Sequence, residues 1–167
     1  MPDFRLVALQ TPDVIAMDWA TTAAGLVDET KSLITAVNVA LLTDSLAAPS
    51  DKLPDPNATD RRGWWGDLDA DTIWGGWPIG SKLWLLKRAK IVDAGAREGA
   101  TTARVQSYIQ ACLQPFVTNR IITSFTVAVT QVGVQQIDAQ IVLYRGAKQS
   151  VALQYQALWS ELFPGAA

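Results

Sequence analysis

The strongest constraint on the fold is a change of hydrophobic period after Phe116. Before it, apolar side chains recur at the three- and four-residue spacing of an amphipathic helix. Thr101 or Thr102 is placed to cap the start of this helix, and Pro115 is predicted to end it, because a proline disfavours helical geometry in the preceding residue. The apolar stripe consists of Val105, Tyr108, Ile109, Cys112, Leu113 and Phe116. Cys112 on this stripe is predicted to be a small core side chain.

From Ile122 the apolar residues recur with a period of two, which predicts β-strands. One run extends from Ile122 to Thr130, and two more follow after turns at Gly133 and at residues 145–148. Three strands joined by short turns predict an antiparallel meander. Its apolar face is predicted to pack on the helix.

The last predicted strand has no charged residue between Ser150 and Ser160. Edge strands in soluble proteins are usually protected by charges or proline. An unprotected edge is either covered by the protein itself or used by another chain. The candidate partner-binding residues on this edge are Val151, Leu153, Gln154, Tyr155 and Gln156.

Shorter elements are predicted in the first half of the chain. Extended segments are expected at residues 4–9, 13–19 and 23–28, and a helix at residues 30–46. A Pro/Asp-rich loop is predicted at residues 48–60, where proline and aspartate favour turns.

A segment rich in tryptophan and glycine follows this loop, and residues 61–90 contain five of the seven tryptophans. A helix capped by Ser81 is predicted at its end. Together the patterns predict one α+β domain over residues 1–167. Residues 48–80 form its loop and Trp/Gly-rich insert, and residues 100–160 form its helix and meander.

Composition excludes several classes of function. The 14 basic and 16 acidic residues give a net charge of −2, whereas nucleic-acid binding needs a concentrated basic face. The chain has no histidine, which removes the commonest general base and transition-metal ligand. The single Cys112 excludes an internal disulfide. A membrane span would need an apolar run of about 18 residues, and the sequence contains none. The N-terminus does not resemble a signal peptide.

No catalytic or cofactor motif is present. Asp67, Asp69 and Asp71 have the opening spacing of a calcium loop, but Thr72 and Pro78 occupy the positions that require glycine and glutamate. There is no acidic pair typical of glycoside hydrolases, no phosphate-binding loop and no serine triad. The sequence therefore predicts a chain that is not an enzyme and has no metal or cofactor.

The tryptophans allow two interpretations, since an indole can fill a core or stack on a ligand. Core or interface packing is predicted for Trp64, Trp65 and Trp84, whereas Trp74 and Trp77, flanked by glycine and proline, are expected to be more exposed. Two arginines precede them, and they are predicted to bond Asp67 or carbonyl groups across the turn.

Three motifs in this order resemble the Mu-like baseplate protein of contractile phage tails. They are SLITAVNVALLTD at residues 32–44, RGWWGD at residues 62–67 and GSKLWLLKRAK at residues 80–90. The resemblance extends from about Phe4 to Leu162. The second half is also similar to the short baseplate wedge proteins, although Gln114-Pro115-Phe116 lacks the Glu and Arg of their Glu-Pro-Arg signature.

The resemblance implies a structural baseplate component rather than an enzyme. Such a protein is made in the cytoplasm of the bacterial host and resides in the virion. It binds a larger wedge subunit and other baseplate or hub proteins, and its last sheet accepts strands from the tail sheath subunit to template sheath assembly. The motif residues are expected to form a packed knot of Arg62, Gly63, Trp64, Trp65, Gly66, Asp67, Ser81 and Trp84.

Two alternatives remain open. The first is a peptidoglycan-binding or cell-wall hydrolase module that uses the Trp-rich stretch. The second is a monomeric domain of another role.

Overall fold

A computed structural model describes most of the chain. The described residues are 6–11, 14–19, 23–24, 32–73, 76–87, 100–132, 136–146 and 148–158. The chain divides into two compact units, Met1–Val39 and Ala40–Ala167. The organisation as one domain over residues 1–167 stays a prediction.

The first unit contains a β-hairpin. Strands β1 (Leu6–Thr11) and β2 (Val14–Trp19) pair antiparallel, with Leu6 opposite Trp19 and Thr11 opposite Val14. The extended segments predicted at residues 4–9 and 13–19 are therefore confirmed over residues 6–9 and 14–19, and residues 4, 5 and 13 lie outside the described residues. Of the third predicted segment, Ala23 and Ala24 form a turn, and residues 25–28 lie outside the described residues.

Helix α1 (Ser32–Leu42) confirms the helix predicted in this region, although it ends four residues earlier. Thr35 and Val37 on it are buried. The helix ends because the backbone at Asp44 pairs with Ser81 in an isolated parallel bridge. A backbone group used in such a bridge is not available to a helical hydrogen bond.

Helix α3 (Thr101–Thr118) follows the predicted stripe, since Val105, Ile109, Cys112, Leu113 and Phe116 are all buried. The two predicted ends are wrong. Ala100 is the N-cap and makes no side-chain cap, while Thr101 is a buried residue of the first turn.

Pro115 lies inside α3 and does not end it. A proline inside a helix loses one hydrogen bond, to the carbonyl four residues earlier. Burial of Phe116 and hydrogen bonds from Asn119 offset this loss. The Asn119 backbone N–H and side-chain Nδ2 both donate to the carbonyl of Pro115, each at 2.9 Å.

The predicted meander is confirmed, and with it the α+β class. Strands β3 (Ser124–Gln131), β4 (Gln136–Arg145) and β5 (Lys148–Leu158) form an antiparallel sheet in the order β3-β4-β5. On the central strand β4, the residues at alternate positions are buried: Ile137, Ala139, Ile141 and Leu143. Helix α3 packs on β3, and Gln106 Nε2 donates to the carbonyl of Val127 at 3.2 Å.

The helix predicted from Ser81 is wrong over the described residues. Leu83–Leu86 form a short 3-10 helix of one turn, and Lys87 is its C-cap. The Ser81 hydroxyl donates to the carbonyl of Leu41 at 2.7 Å and accepts only a long bond, 3.4 Å, from the N–H of Leu83. Tertiary contacts have overridden local helix propensity. Residues 88–90 lie outside the described part.

The described residues of the second unit also include a 3-10 turn at Trp65–Asp67 and the short helix α2 (Ala70–Ile73). Among the described residues, no helix is long and apolar enough to cross a membrane.

Candidate functional site

Ser81 joins two distant segments of the second unit. Its backbone N–H donates to the carbonyl of Thr43 at 2.9 Å, and its carbonyl accepts from the N–H of Ser45 at 3.1 Å. With the hydroxyl bond to Leu41, all its polar groups are used and the side chain is buried. Ser81 therefore fixes the end of α1 against the segment that follows the Trp-rich stretch.

Trp84 fills the core beside this junction and is only 6% exposed, as predicted. Its Nε1 donates to the carbonyl of Ser45 at 2.9 Å. The Arg62 guanidinium lies over the indole, 4.9 Å from the ring centroid, and forms an ion pair with Asp44. The predicted bond from Arg62 to Asp67 is wrong, because the cation is held between Asp44 and Trp84.

Arg61 does bond carbonyls, as predicted. Its guanidinium donates to the carbonyls of Ala48 and Pro49, and its own carbonyl accepts from the N–H of Ala47 at 3.0 Å. This arginine therefore fastens the start of the 48–60 loop to the RGWWGD motif.

Two glycines of the site have backbone geometry that other residues rarely adopt. Gly63 has φ of 97° and Gly80 has φ of 120°. A Cβ on Gly80 would lie 2.7 Å from the backbone nitrogen of Ser45. Glycine at this position therefore allows the close backbone approach that Ser81 requires.

Trp64 and Trp65 contradict the predicted packed knot. Trp64 is 40% exposed and Trp65 is 80% exposed. The Trp64 ring lies directly over Gly66, where a Cβ would overlap it, and its centroid is 5.4 Å from that of Trp65. The indoles pack on each other and on backbone rather than in the core.

Leu46 and Leu68, which the sequence did not single out, extend this apolar surface. They are 63% and 75% exposed. Leu68 stands between Asp67 and Asp69, and an isolated leucine in an acidic loop is the only signal that could have identified it. Leu46 had no distinguishing signal, because it continues the apolar pattern of α1.

A groove of about 690 Å³ lies beside these side chains. Its walls combine the segment after α1, the RGWWGD motif, the residues before Ser81 and one face of α3. The lining residues are Ser45, Leu46, Arg62, Gly63, Trp64, Trp65, Asp67, Leu68, Pro78, Gly80, Ser81, Lys82, Tyr108, Ala111 and Cys112. The groove therefore brings together the predicted motif residues except Gly66 and Trp84.

Asp67 has one satisfied and one unsatisfied carboxylate oxygen. Oδ1 accepts from the N–H of Ile79 at 2.7 Å, which fastens the motif to the residues before Gly80. Oδ2 is buried and has no hydrogen-bond partner. Leaving a buried acceptor without a donor costs about 1–3 kcal/mol. Within the described ranges, no group of acidic or sulfur ligands could hold a metal ion.

Lys82, on the groove wall, is paired with Asp51 at 2.6 Å. The hydrogen bond from Lys82 is the main cause that holds the pKa of Asp51 below its ordinary value, and the N–H of Ala48 adds to it. The two cations on the groove wall, Arg62 and Lys82, are thus both neutralised by aspartates of the second unit.

Cys112 is buried on the groove side of α3 and donates from Sγ to the carbonyl of Ala40 at 3.2 Å. Burial raises the pKa of its thiol to about 12. The thiol is therefore protonated near neutral pH, as expected for a core side chain.

The prediction that Trp77 is more exposed than Trp64 and Trp65 is wrong, because Trp77 is half-buried. Its ring meets Phe116 edge to face, with centroids 5.5 Å apart. This contact connects the Trp-rich segment to α3. Trp74 lies outside the described residues.

The five candidate residues of the strand edge all lie on β5, at one side of the sheet. The register pairs Gln154 with Gln140 and Leu153 with Ile141 of β4. In the described part of the chain, β5 pairs with β4 alone. The outer backbone edge of β5 is the feature that the candidate residues share.

Comparison with known proteins gave two matches. The family described as phage protein GP46 matches residues 33–150. Baseplate protein gp46 of Escherichia phage Mu is 43% identical over 83 residues, which is 50% of this chain and 49% of the relative. The chain thus spans about half the length of this curated relative. No solved structure matches the chain.

Proposed function

Since the chain belongs to the phage protein GP46 family, we propose that it is a structural component of the baseplate of a contractile phage tail. The 43% identity to the Mu baseplate protein is the observation that carries this proposal. The matched family segment contains the groove residues and most of the sheet. The protein then resides in the virion, at the end of the tail.

Its partners in the proposal are a larger baseplate wedge protein and other baseplate or hub proteins. Exposed tryptophans and leucines around one groove support this, because interfaces are enriched in aromatic residues and large apolar patches mark contact sites. The proposal assigns no catalytic step to the chain.

The third proposed partner is the tail sheath subunit. Strand β5 lies at the edge of its sheet, and its segment from Ser150 to Leu158 has no charge that would hinder pairing. An extended strand can add to such an edge through backbone hydrogen bonds. We place the first ring of sheath at this edge, so that the sheet of this protein templates sheath polymerisation.

The baseplate role is tested by deleting the gene in the producing phage or prophage. Purified tails from the wild type are expected to contain the chain, and the deletion is expected to abolish full-length sheathed tails seen by electron microscopy. Supplying the wild-type chain from a plasmid restores them. Tails that lack the chain, or normal tails in its absence, contradict the proposal.

The sheath role predicts a difference between the two edges of the sheet. Replacing Gln154 and Gln156 by lysine puts charges on β5, which should hinder strand addition and reduce sheathed tails by about tenfold or more. The matched control replaces Thr126 and Thr130 by lysine on β3, the opposite edge strand. Counting sheathed and bare tails in the complemented deletion strain makes the comparison. Equal counts for the two variants would refute the role of β5.

A second candidate function is peptidoglycan binding, which the high exposure of Trp65 beside a groove favours, because indoles stack on sugar rings. Purified peptidoglycan sacculi should then retain the protein in a pull-down, and Trp65→Ala should abolish retention. No retention of the wild type excludes this candidate.

A further inference from the structure

We propose that the groove bounded by Leu46, Trp64, Trp65 and Leu68 receives a segment of a neighbouring baseplate protein that inserts an arginine or lysine between apolar residues. The identity of the partner as a baseplate protein rests on the proposed function. The chemistry of the inserted segment is inferred from three features of the groove: its apolar rim, the charges beside it and one unsatisfied carboxylate oxygen.

The rim provides the apolar part of the contact. Trp65, Leu68 and Leu46 are each more than half exposed on one side of the molecule's second unit, and Trp64 adds its ring beside them. Tryptophan in such a position is the residue type that most often dominates binding energy at an interface. Leucine and similar side chains of a partner fit this rim.

The segment that carries Trp64, Trp65 and Leu68 of the rim is acidic. Residues 63–81 contain Asp67, Asp69 and Asp71 and no lysine or arginine. The two cations on the groove wall are already used, Arg62 by Asp44 and Lys82 by Asp51. In the described part of the chain, none of the three aspartates forms an ion pair, so a cationic side chain of the partner complements this surface.

Asp67 adds a specific acceptor to this general attraction. Its Oδ2 is buried at the groove without a donor, whereas its Oδ1 is held by the N–H of Ile79. A buried carboxylate oxygen is normally hydrogen-bonded. Because Asp67 lines the groove, a guanidinium or ammonium group of a bound partner can supply the missing donor to Oδ2.

The aromatic rim favours the same cation. Trp65 is 80% exposed and lines the same groove as Asp67, and a cation placed over an indole is attracted by the ring. Arginine satisfies both contacts, because its planar group stacks on a ring and presents several donors in a fork. The structure already shows this pairing once, in Arg62 over Trp84 beside Asp44.

The binding chemistry can be tested on the purified full-length chain labelled with 5-fluorotryptophan. Fluorine NMR resolves the tryptophans, and Trp64→Phe and Trp65→Phe variants assign their two signals. The probes are three capped pentapeptides that carry arginine, glutamine or glutamate between two leucines. We expect the arginine peptide to shift both signals at concentrations roughly tenfold lower than the glutamine peptide, and the glutamate peptide to be weakest.

A substitution at the carboxylate tests its part. Asp67→Asn should reduce the preference for arginine over glutamine to about threefold or less. The control is Asp60→Asn, because Asp60 is exposed, lies outside the groove and accepts only the N–H of Arg62. No shift of either signal with the arginine peptide, or equal shifts with all three peptides, overturns the proposal.

Two other occupants are outcomes of the same experiment. Shifts of both signals with a chitin oligosaccharide, without shifts from the arginine peptide, assign the groove to a glycan and overturn the proposal. A dimer seen by sedimentation that Trp65→Ala removes assigns it to a second copy of the chain, with the same consequence.

Incorporation into tails separates this inference from the proposed function. The deletion strain is complemented with the double variant Trp65→Ala, Leu68→Ser, or with the control Leu42→Ser, which changes an exposed leucine outside the groove. We expect the double variant to fall at least about tenfold in purified tails while the control is unchanged.

The two possible failures differ. If the wild-type chain is absent from tails, the proposed function fails and the peptide measurements stand alone. If the wild type and the double variant enter tails equally, the inference about the groove fails and the proposed function stands.

Discussion

At the scale of single residues, the site depends on a glycine that permits close backbone approach and on a serine whose polar groups are all hydrogen-bonded. Gly80 allows the backbone of Ser81 to pair with the segment after α1, and the Ser81 hydroxyl satisfies a carbonyl in the core. Gly66, by contrast, only makes room for an exposed ring. Two glycines of one segment therefore have unequal importance for the fold.

This difference gives a first prediction. Gly80→Ala should lower the free energy of unfolding by about 1–3 kcal/mol or more, because alanine is strained at φ of 120° and its Cβ meets backbone. Gly66→Ala should change it by less than about 1 kcal/mol, since the Trp64 ring can rotate away. Urea unfolding followed by circular dichroism measures both. Equal losses would mean that Trp64 is fixed by contacts that its exposure does not show.

Cys112 gives a pH prediction. Its pKa is about 12 in the folded chain against 9.0 as the ordinary value, so the folded state retains the proton that the unfolded state loses. The stabilisation that this provides is complete below pH 9.0 and is lost as the pH rises toward 12. Between pH 9.0 and 12 the free energy of unfolding of the wild type should fall by up to about 1.4 kcal/mol per pH unit more than that of Cys112→Ala.

The two proteins are compared by urea unfolding at successive pH values under reducing conditions. Below pH 9.0 the difference between them should be constant, because the cavity left by the missing sulfur and the lost hydrogen bond to Ala40 do not change with pH there. A constant difference up to pH 12 would contradict the raised pKa.

At the scale of elements, α3 organises the second unit. It packs on β3, and three of its residues, Tyr108, Ala111 and Cys112, also line the groove. One helix therefore holds the sheet at which sheath addition is proposed and the groove at which a wedge partner is proposed.

Pro115 inside α3 leads to a prediction about stability. Pro115→Ala restores an N–H that can donate to the carbonyl of Ala111, and should raise the free energy of unfolding by roughly 1–3 kcal/mol. Equilibrium urea unfolding measures the change, with Ser107→Ala at an exposed position of α3 as the control. A loss of stability would show that the proline ring makes packing contacts worth more than the hydrogen bond.

The elements differ in how far the sequence could predict them. The meander and the stripe of α3 follow from period alone, because alternate burial in a strand and burial every three or four residues in a helix leave direct marks. The prediction of a helix from Ser81 is wrong because the conformation of this segment depends on hydrogen bonds to Leu41 and Thr43, about forty residues away. Local propensity contains no information on such partners.

The site was predicted only in part for a related reason. Trp84 and Trp65 are the same residue type in the same segment, yet one is buried and the other exposed. What separates them is the position of Ser45 and Arg62 around Trp84, which only the fold brings together. The resemblance identified the motif and the family, but not which of its indoles face solvent.

At the scale of the whole molecule, the residues that form the core of the second unit differ from the exposed apolar residues around the groove. Its core is formed by the stripe of α3, the inner positions of β4 and Leu86. Four large apolar side chains remain outside this core, around the groove. These four side chains contribute little to the free energy of folding, because they stay in contact with solvent, and they remain available for association with a partner.

Replacing two of these residues by serine should therefore affect association without affecting folding. Trp65→Ser with Leu68→Ser is expected to leave the free energy of unfolding within about 0.5 kcal/mol of the wild type. Binding of the dye ANS to the native protein should fall, because the dye reports exposed apolar surface. Urea unfolding and dye fluorescence on the same samples check both statements. A clear loss of stability would place the rim within the core.

The six residues of RGWWGD lead to two kinds of genetic outcome. Substitution of Arg62 or Gly63 is expected to lower the amount of folded chain, because Arg62 holds Asp44 and Trp84 and Gly63 has a positive φ. Suppressors are then expected within the same gene, at positions that restore stability. Under the proposed groove contact, damage at Trp65 is expected to leave the amount of chain unchanged and to weaken that contact, so compensating changes are expected in the gene of the protein that binds the groove. The gene in which suppressors of Trp65 variants arise would therefore identify the protein that contacts this chain in the assembled tail.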